Sequence, residues 1–196
     1  MGKVLWLDTE TTGLDPKQCV PVQIAGIIDI DGEVKEKFNL FTRPFYDSLI
    51  TAKALEVTGK TAEDIWAYPE PAVTFKILED ILGKYVNKYD RNDKFLLAGQ
   101  KVDFDLDMMY NWFLKNGSTY LGSWISFKYK FDTLYIVQAL QIIGKLPVLP
   151  NNKLTSLCEH FKVPLANAHD CMADIEATRA VGLELVKMLD TIKEVG

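Results

Sequence analysis

Cysteine is scarce in this chain, and none is spaced to act with another. Cys19, Cys158 and Cys171 are odd in number and form no Cys-x-x-Cys pair, which argues against a disulfide framework and a cysteine-held metal and leaves buried, reduced thiols. Long apolar runs are missing too: no segment approaches the roughly 20 residues that cross a bilayer. The amino terminus MGKVLWLD lacks a secretory pattern, because its short apolar stretch meets a charge at once. A cytoplasmic protein with no membrane association is the expectation. Repeats, low-complexity tracts and linkers are also absent. The 196 residues, 48% hydrophobic, therefore read as one domain over 1–196, long enough for one good core and too short for two.

An excess of basic residues is lacking as well. Lys and Arg total 22 against 27 Asp and Glu, a net charge of −5. That balance speaks against tight coating of long nucleic acid, since phosphate backbones reward positive surfaces. Base is locally richer in the middle of the chain, at Lys84, Lys88, Arg91, Lys94, Lys101, Lys115, Lys128 and Lys130, which reads either as a phosphate-tracking rim or as solvated helix faces. Part of the acid excess belongs to carboxylates that bound cations would neutralise. The balance fits a protein that holds a chain end more than a chain length.

The pattern along the chain is strand-rich first and helix-rich later. Val4–Leu7 is an apolar strand core. Val20–Ile30 and Glu33–Phe41 are strands joined at Asp31-Gly32, a pair suited to the positive φ of a tight hairpin. Pro71 opens a helical period through Phe75, Leu78, Leu82 and Tyr85, with proline in the first turn. Phe95–Ala98 and Ser126–Phe131 read as strands. Asp103–Leu114, Thr133–Ile143, Leu154–Phe161 and Asp170–Leu189 read as helices. The order implies an α/β fold, a mixed sheet with helices on its faces.

Chemistry concentrates in four acids and one histidine. Asp8 and Glu10 in VLWLDTETTGLDP are two apart, so on a strand they face the same way and leave its carboxyl end as a pair of ligands. Two carboxylates so close repel each other unless cations lie between them. VLWL reads as a central strand, and central strands of open α/β sheets end at binding crevices. Thr11, Gly13 and Leu14 follow. There glycine permits close backbone approach, threonine offers a hydroxyl and an amide to a sugar or phosphate, and Leu14 can wedge against a base. Asp105 stands between Asp103 and Asp107, and spacing selects none of the three; Asp103 also reads as a helix cap and Asp107 as a solvated residue. His160 reads as structural. His169 sits at the mouth of the last helix, five residues before Asp174, where an imidazole titrating near neutrality can take a proton from water. Gathered into one cleft, these groups suit two magnesium-class ions and attack on a phosphodiester.

These segments resemble the three motifs of the DEDDh group of the DnaQ-like 3'-5' exonuclease superfamily, which has a ribonuclease H-like fold. DTETTGL matches the first motif, VDFD carries the Phe-Asp of the second, and His169 with Asp174 matches the spacing of the third. ALEVTGKTAEDI, FDTL and NKLTSLCEHFKV are similar to connecting stretches, so the likeness spans roughly residues 3–187. A sister group would place tyrosine at Asp170. The resemblance implies a five-stranded mixed sheet whose first three strands are antiparallel. It also implies release of nucleoside 5'-monophosphates from a 3' end by two ions, Mg²⁺ or Mn²⁺. It selects Asp105 and makes Asp8, Glu10, Asp105 and Asp174 the ligands and His169 the general base. Thr11 and Leu14 would hold the terminal nucleotide, with Phe104 lining its sugar or base. The family often has His-Asn where this chain has Gln100 and Lys101, and Lys101 is assigned to phosphate instead. Single-stranded DNA is the favoured substrate, with a polymerase or replication partner possible. An exoribonuclease or oligoribonuclease of the same group is the alternative, and a non-catalytic nucleic-acid-binding module is a third reading.

Overall fold

The computed structural model describes residues 2–165 and 170–191. In chain order the elements are β1 (Lys3–Thr11), β2 (Pro21–Ile30), β3 (Glu33–Phe41), α1 (Ala52–Thr58), α2 (Ala62–Trp66), α3 (Pro71–Gly83), β4 (Phe95–Gly99), α4 (Val102–Lys115), α5 (Leu121–Trp124), β5 (Ile125–Asp132), α6 (Thr133–Ile142), α7 (Leu154–Phe161) and α8 (Cys171–Asp190). The five strands form one sheet in the order β3-β2-β1-β4-β5. β1, β2 and β3 pair antiparallel, while β4 and β5 run parallel to β1. Asp31 (φ 53°) and Gly32 (φ 91°) make the turn between β2 and β3, the positive φ that this hairpin needs.

Alternation along the strands separates two cores. Leu5 and Leu7 of β1, Ile24 and Ile28 of β2, and Phe95 and Leu97 of β4 meet Leu78 and Leu82 of α3 and Leu106, Met109, Trp112 and Phe113 of α4. Trp6, Ala25, Ile27 and Ala98 point the other way, onto Cys171 and Ile175 of α8. Helices thus cover both faces. A separate cluster, centred on Val137, Leu140, Leu157, Val181 and Leu185, packs α6 and α7 against α8. Cys19, Cys158 and Cys171 are buried free thiols. Among the described residues, no helix is long and apolar enough to cross a membrane.

Three short helices, α1, α2 and α5, were not evident from periodicity. α1 buries no residue, and α2 buries only Ile65. Their termini explain them better than their faces do. Thr51 accepts from Ala54 N at the start of α1, Gly59 (φ 65°) ends it, and Thr61 and Asp64 close a reciprocal cap on α2.

Candidate active site

The carboxylate pair lies in the carboxyl-terminal half of β1, past the Val4–Leu7 strand core. β1 continues to Thr11 because β2 pairs with it along the whole length, Asp8 opposite Ala25 and Glu10 opposite Gln23. β4 stays beside β1 only from Val4 to Trp6. The second half of β1 is therefore open on that side, and this opening is the crevice. The two-residue period then assigns faces: Asp8 and Glu10 share the side of Trp6, toward α8, whereas Thr9 shares the side of Leu5 and Leu7, toward α4.

α8 delivers the third carboxylate. Asp170 caps the helix, its side chain accepting from Ala173 N at 3.0 Å, so Asp174 falls in the first turn. Carboxylate oxygens of Asp8, Glu10 and Asp174 all lie within 4.8 Å of one another. Farther along, Arg179 donates to both oxygens of Asp29 on β2 at 2.8 and 3.2 Å, and Trp6 Nε1 donates to the same carboxylate at 3.0 Å. Gly182 lets the helix lie against Trp6, where a Cβ would come 2.4 Å from Cη2. These contacts set how α8 presents Asp174.

The site is electrostatically loaded. Burial pushes Asp8 up to about 7; Asp174 adds to this, while a hydrogen bond from Cys171 opposes it. Burial and the charges of Asp8, Asp174 and Asp170 push Glu10 up to about 8. Among the described residues, neither Asp8 nor Glu10 has an ion-pair partner. Close carboxylates held out of water must take up protons or cations. Cys171, which no sequence signal assigned to the site, is buried beneath it; Sγ donates to the Asp8 carbonyl oxygen at 2.9 Å, and burial followed by the Asp8 charge holds the thiol protonated well above its ordinary range.

Asp105 approaches from the opposite face. It is 3% exposed, accepts from Thr9 Oγ1 at 2.7 Å, and is raised well above the usual carboxylate range by burial and by Asp8. It stands beside the three clustered acids without joining their 4.8 Å group. Of its two neighbours, Asp107 is exposed on the helix, as read from sequence. Asp103 is not the cap. It pairs with Lys130, and the N-cap position is Lys101, in the left-handed region at φ 59°. The capping carboxylate comes from Asp132, which accepts from Lys101 N at 3.2 Å and Val102 N at 2.9 Å, and from Leu134 N at 2.9 Å. One buried side chain thus caps both α4 and α6. Gln100 donates to Asn152 O at 3.0 Å.

Beside Glu10 lies a cavity of about 580 Å³ lined by Thr9, Thr11, Gly13, Leu14 and Phe104 on one side and by Thr51, Lys53, Ala54, Val57 and Thr58 on the other. Its size is that of a small-ligand site. Leu14 is 83% exposed at its rim. Thr11 Oγ1 donates to Gly13 O at 2.7 Å, and a Cβ on Gly13 would come 2.6 Å from Cys19 Sγ, so both residues shape the turn from within. Lys101 is exposed and does not line the cavity. The α1 wall went unread in the sequence because its exposed apolar residues follow no core period. His169 lies outside the described residues.

An all-oxygen set of clustered carboxylates fits a hard divalent cation of the magnesium class, and the buried thiol nearby is engaged by a backbone carbonyl. Comparison with known proteins supplies the family. A family model described as Exonuclease matches residues 5–181. The PolC-type DNA polymerase III of Bacillus cereus is 27% identical over 189 residues, covering 96% of this chain and 11% of the polymerase. That of Bacillus subtilis is 26% identical over 185 residues, covering 92% and 11%. A solved exonuclease I superposes with a TM-score of 0.78 at 26% identity, over 95% of this chain and 41% of the other. Escherichia coli exonuclease I in complex with a dT13 oligonucleotide superposes with a TM-score of 0.76 at 25% identity, over 95% and 41%. The chain thus spans about a tenth of these polymerases and two fifths of exonuclease I. With its ribonuclease H-like mixed sheet and matched motifs, the chain belongs to the exonuclease family of the DnaQ-like, DEDDh superfamily.

Proposed function

We propose that this chain is a metal-dependent 3'-5' exonuclease that removes nucleotides one at a time from single-stranded DNA. The observation that carries this is the convergence of Asp8, Glu10 and Asp174 within 4.8 Å, with Asp105 tied alongside through Thr9. Asp8, Glu10, Asp105 and Asp174 would hold two divalent cations, Mg²⁺ or Mn²⁺. When bound, such cations make water nucleophilic near neutral pH and stabilise charge on the leaving 3' oxygen. His169 accepts the proton of the attacking water. Leu14 and Phe104, which flank the cavity beside Glu10, sandwich the terminal base or sugar, while Thr11 and Gly13 present backbone to it. Lys101, at the α4 terminus, contacts phosphate of the strand.

DNA is favoured because the solved exonuclease I relative carries a dT13 oligonucleotide. The PolC-type relatives are DNA polymerases, so a replication setting in the cytoplasm, with a polymerase partner, belongs to the same proposal. The test is to incubate the protein with matched 5'-labelled DNA and RNA strands, with free or blocked 3' ends, in Mg²⁺, Mn²⁺ or chelator. Stepwise shortening of the unblocked DNA only when metal is present is the expected result. Preference for RNA would move the assignment to an exoribonuclease, and cleavage of 3'-blocked strands would contradict the polarity.

A further inference from the structure

The edge strand β5 leaves its partner in the middle. Phe95 pairs with Ile125 and Leu97 with Lys130, so β5 advances five residues where β4 advances two. Residues 126–129 arch away from the sheet as an extended bulge. Tyr129 N donates to Ser126 Oγ at 3.2 Å and closes the arch. It displays Phe127 and Tyr129, 47% and 58% exposed, with the Lys128 ammonium 5.0 Å from the Tyr129 ring centroid. Leaving two aromatic rings in water forgoes burial that polar residues would not need.

The arch faces α4. Phe127 lies edge-on to Tyr110 with centroids 6.1 Å apart, and with Leu106 and Asp107 the two rings line a groove of about 210 Å³. This helix also carries Phe104 and Asp105, and Tyr110 is one and a half turns, about 7.5 Å of rise, beyond Asp105. Five residues also turn a helix through about 140°, so the groove lies on a different face of α4 from Asp105, and a strand reaches it from the cavity by passing around the helix. Around the arch lysines outnumber acids in a chain of net charge −5, although exposed Asp107 lines the groove itself. Lys130 neutralises Asp103, Lys94 donates to Gly122 O beneath the Phe127 ring, and Lys128 has no ion-pair partner among the described residues.

Aromatic faces interleaved with ammonium groups match the chemistry of unpaired bases on a phosphate backbone, where rings stack and lysines follow the charge. A protein-docking patch would instead centre on apolar surface depleted of lysine. We infer that the β5 arch and the adjoining face of α4 bind the single-stranded segment upstream of the terminal nucleotide. The inference rests on the exonuclease proposal for its orientation, but strand binding can be read without turnover.

The experiment compares wild type with Phe127→Ala/Tyr129→Ala and with Lys128→Glu, none of which touches the carboxylate site. Binding of a 5'-fluorescent dT20 strand in EDTA should weaken about tenfold in each variant, and a dinucleotide in Mg²⁺ should be hydrolysed at the wild-type rate. Affinity for dT20 equal to wild type would overturn the inference and leave the arch to a protein partner. Equal loss on dT20 and dinucleotide would also overturn it, because the substitutions would then be acting through α4. A wild type that binds dT20 through the arch yet hydrolyses nothing would instead refute the exonuclease proposal.

Discussion

Replacing Glu10 with glutamine should stabilise the metal-free protein at pH 8. Burial, and after it the neighbouring acids, raise Glu10 from 4.5 to about 8, so the folded state holds its proton far more tightly than the unfolded chain does. For a carboxyl raised in this way, its contribution is complete below about pH 4.5 and is lost as pH climbs through about 8. Each power of ten in acidity corresponds to about 1.4 kcal/mol, giving an upper bound near ~5 kcal/mol for Glu10. The side chain is half-buried at an open crevice, and screening there lowers the expected gain to about 2 kcal/mol. For a chain of this length that is a rise of roughly 4–8 °C in Tm. Thermal unfolding in EDTA at pH 5, 6.5 and 8 is the assay. Wild type should lose stability across that series and regain it with Mg²⁺ at pH 8, whereas Glu10→Gln should fall less steeply with pH, the remaining slope coming from Asp8, and regain less with Mg²⁺. A wild-type Tm that is flat from pH 5 to 8, with Glu10→Gln no more stable, would refute the electrostatic account of the cleft.

Other substitutions probe the supports. Asp132→Ala removes the carboxylate shared by α4 and α6 and should cost about 2–3 kcal/mol in urea unfolding; an unchanged midpoint would deny its double capping role. Lys101→Gly relieves a left-handed backbone and should add about 1 kcal/mol of stability, while weakening strand binding evenly and flattening its salt dependence if the ammonium meets phosphate. Gly182→Ala places a methyl 2.4 Å from buried Trp6; a loss of about 2 kcal/mol is expected, together with weaker Mg²⁺ response as α8 and Asp174 shift. His169→Ala should depress turnover far more than metal affinity, and equal loss of both would make the imidazole a ligand.

Much of the fold was legible because the determining signals are local. Asp31-Gly32 announced a hairpin that the backbone dihedrals realise, and Pro71 opened α3 where the apolar period began. The site was less uniformly legible. Asp8 and Glu10 share a face by strand period alone, but choosing Asp105 over Asp103 and Asp107 depends on Thr9, 96 residues earlier in the chain. No local pattern holds that information. Lysine gives no hint of a left-handed cap at position 101, since the reason is the remote carboxylate of Asp132. The β5 arch was hidden for a different reason: Phe127, Lys128, Tyr129 and Lys130 alternate as an ordinary strand would, and only the pairing with β4 shows the extra residues.

The central claim is that acids from three distant segments make one cation site. Anomalous diffraction from crystals soaked in Mn²⁺, with wild type and Asp174→Ala compared, addresses it directly. Strong peaks bounded by Asp8, Glu10 and Asp174 in wild type, diminished or lost in the variant, are predicted. Wild-type crystals without anomalous density between these carboxylates at saturating Mn²⁺ would contradict it.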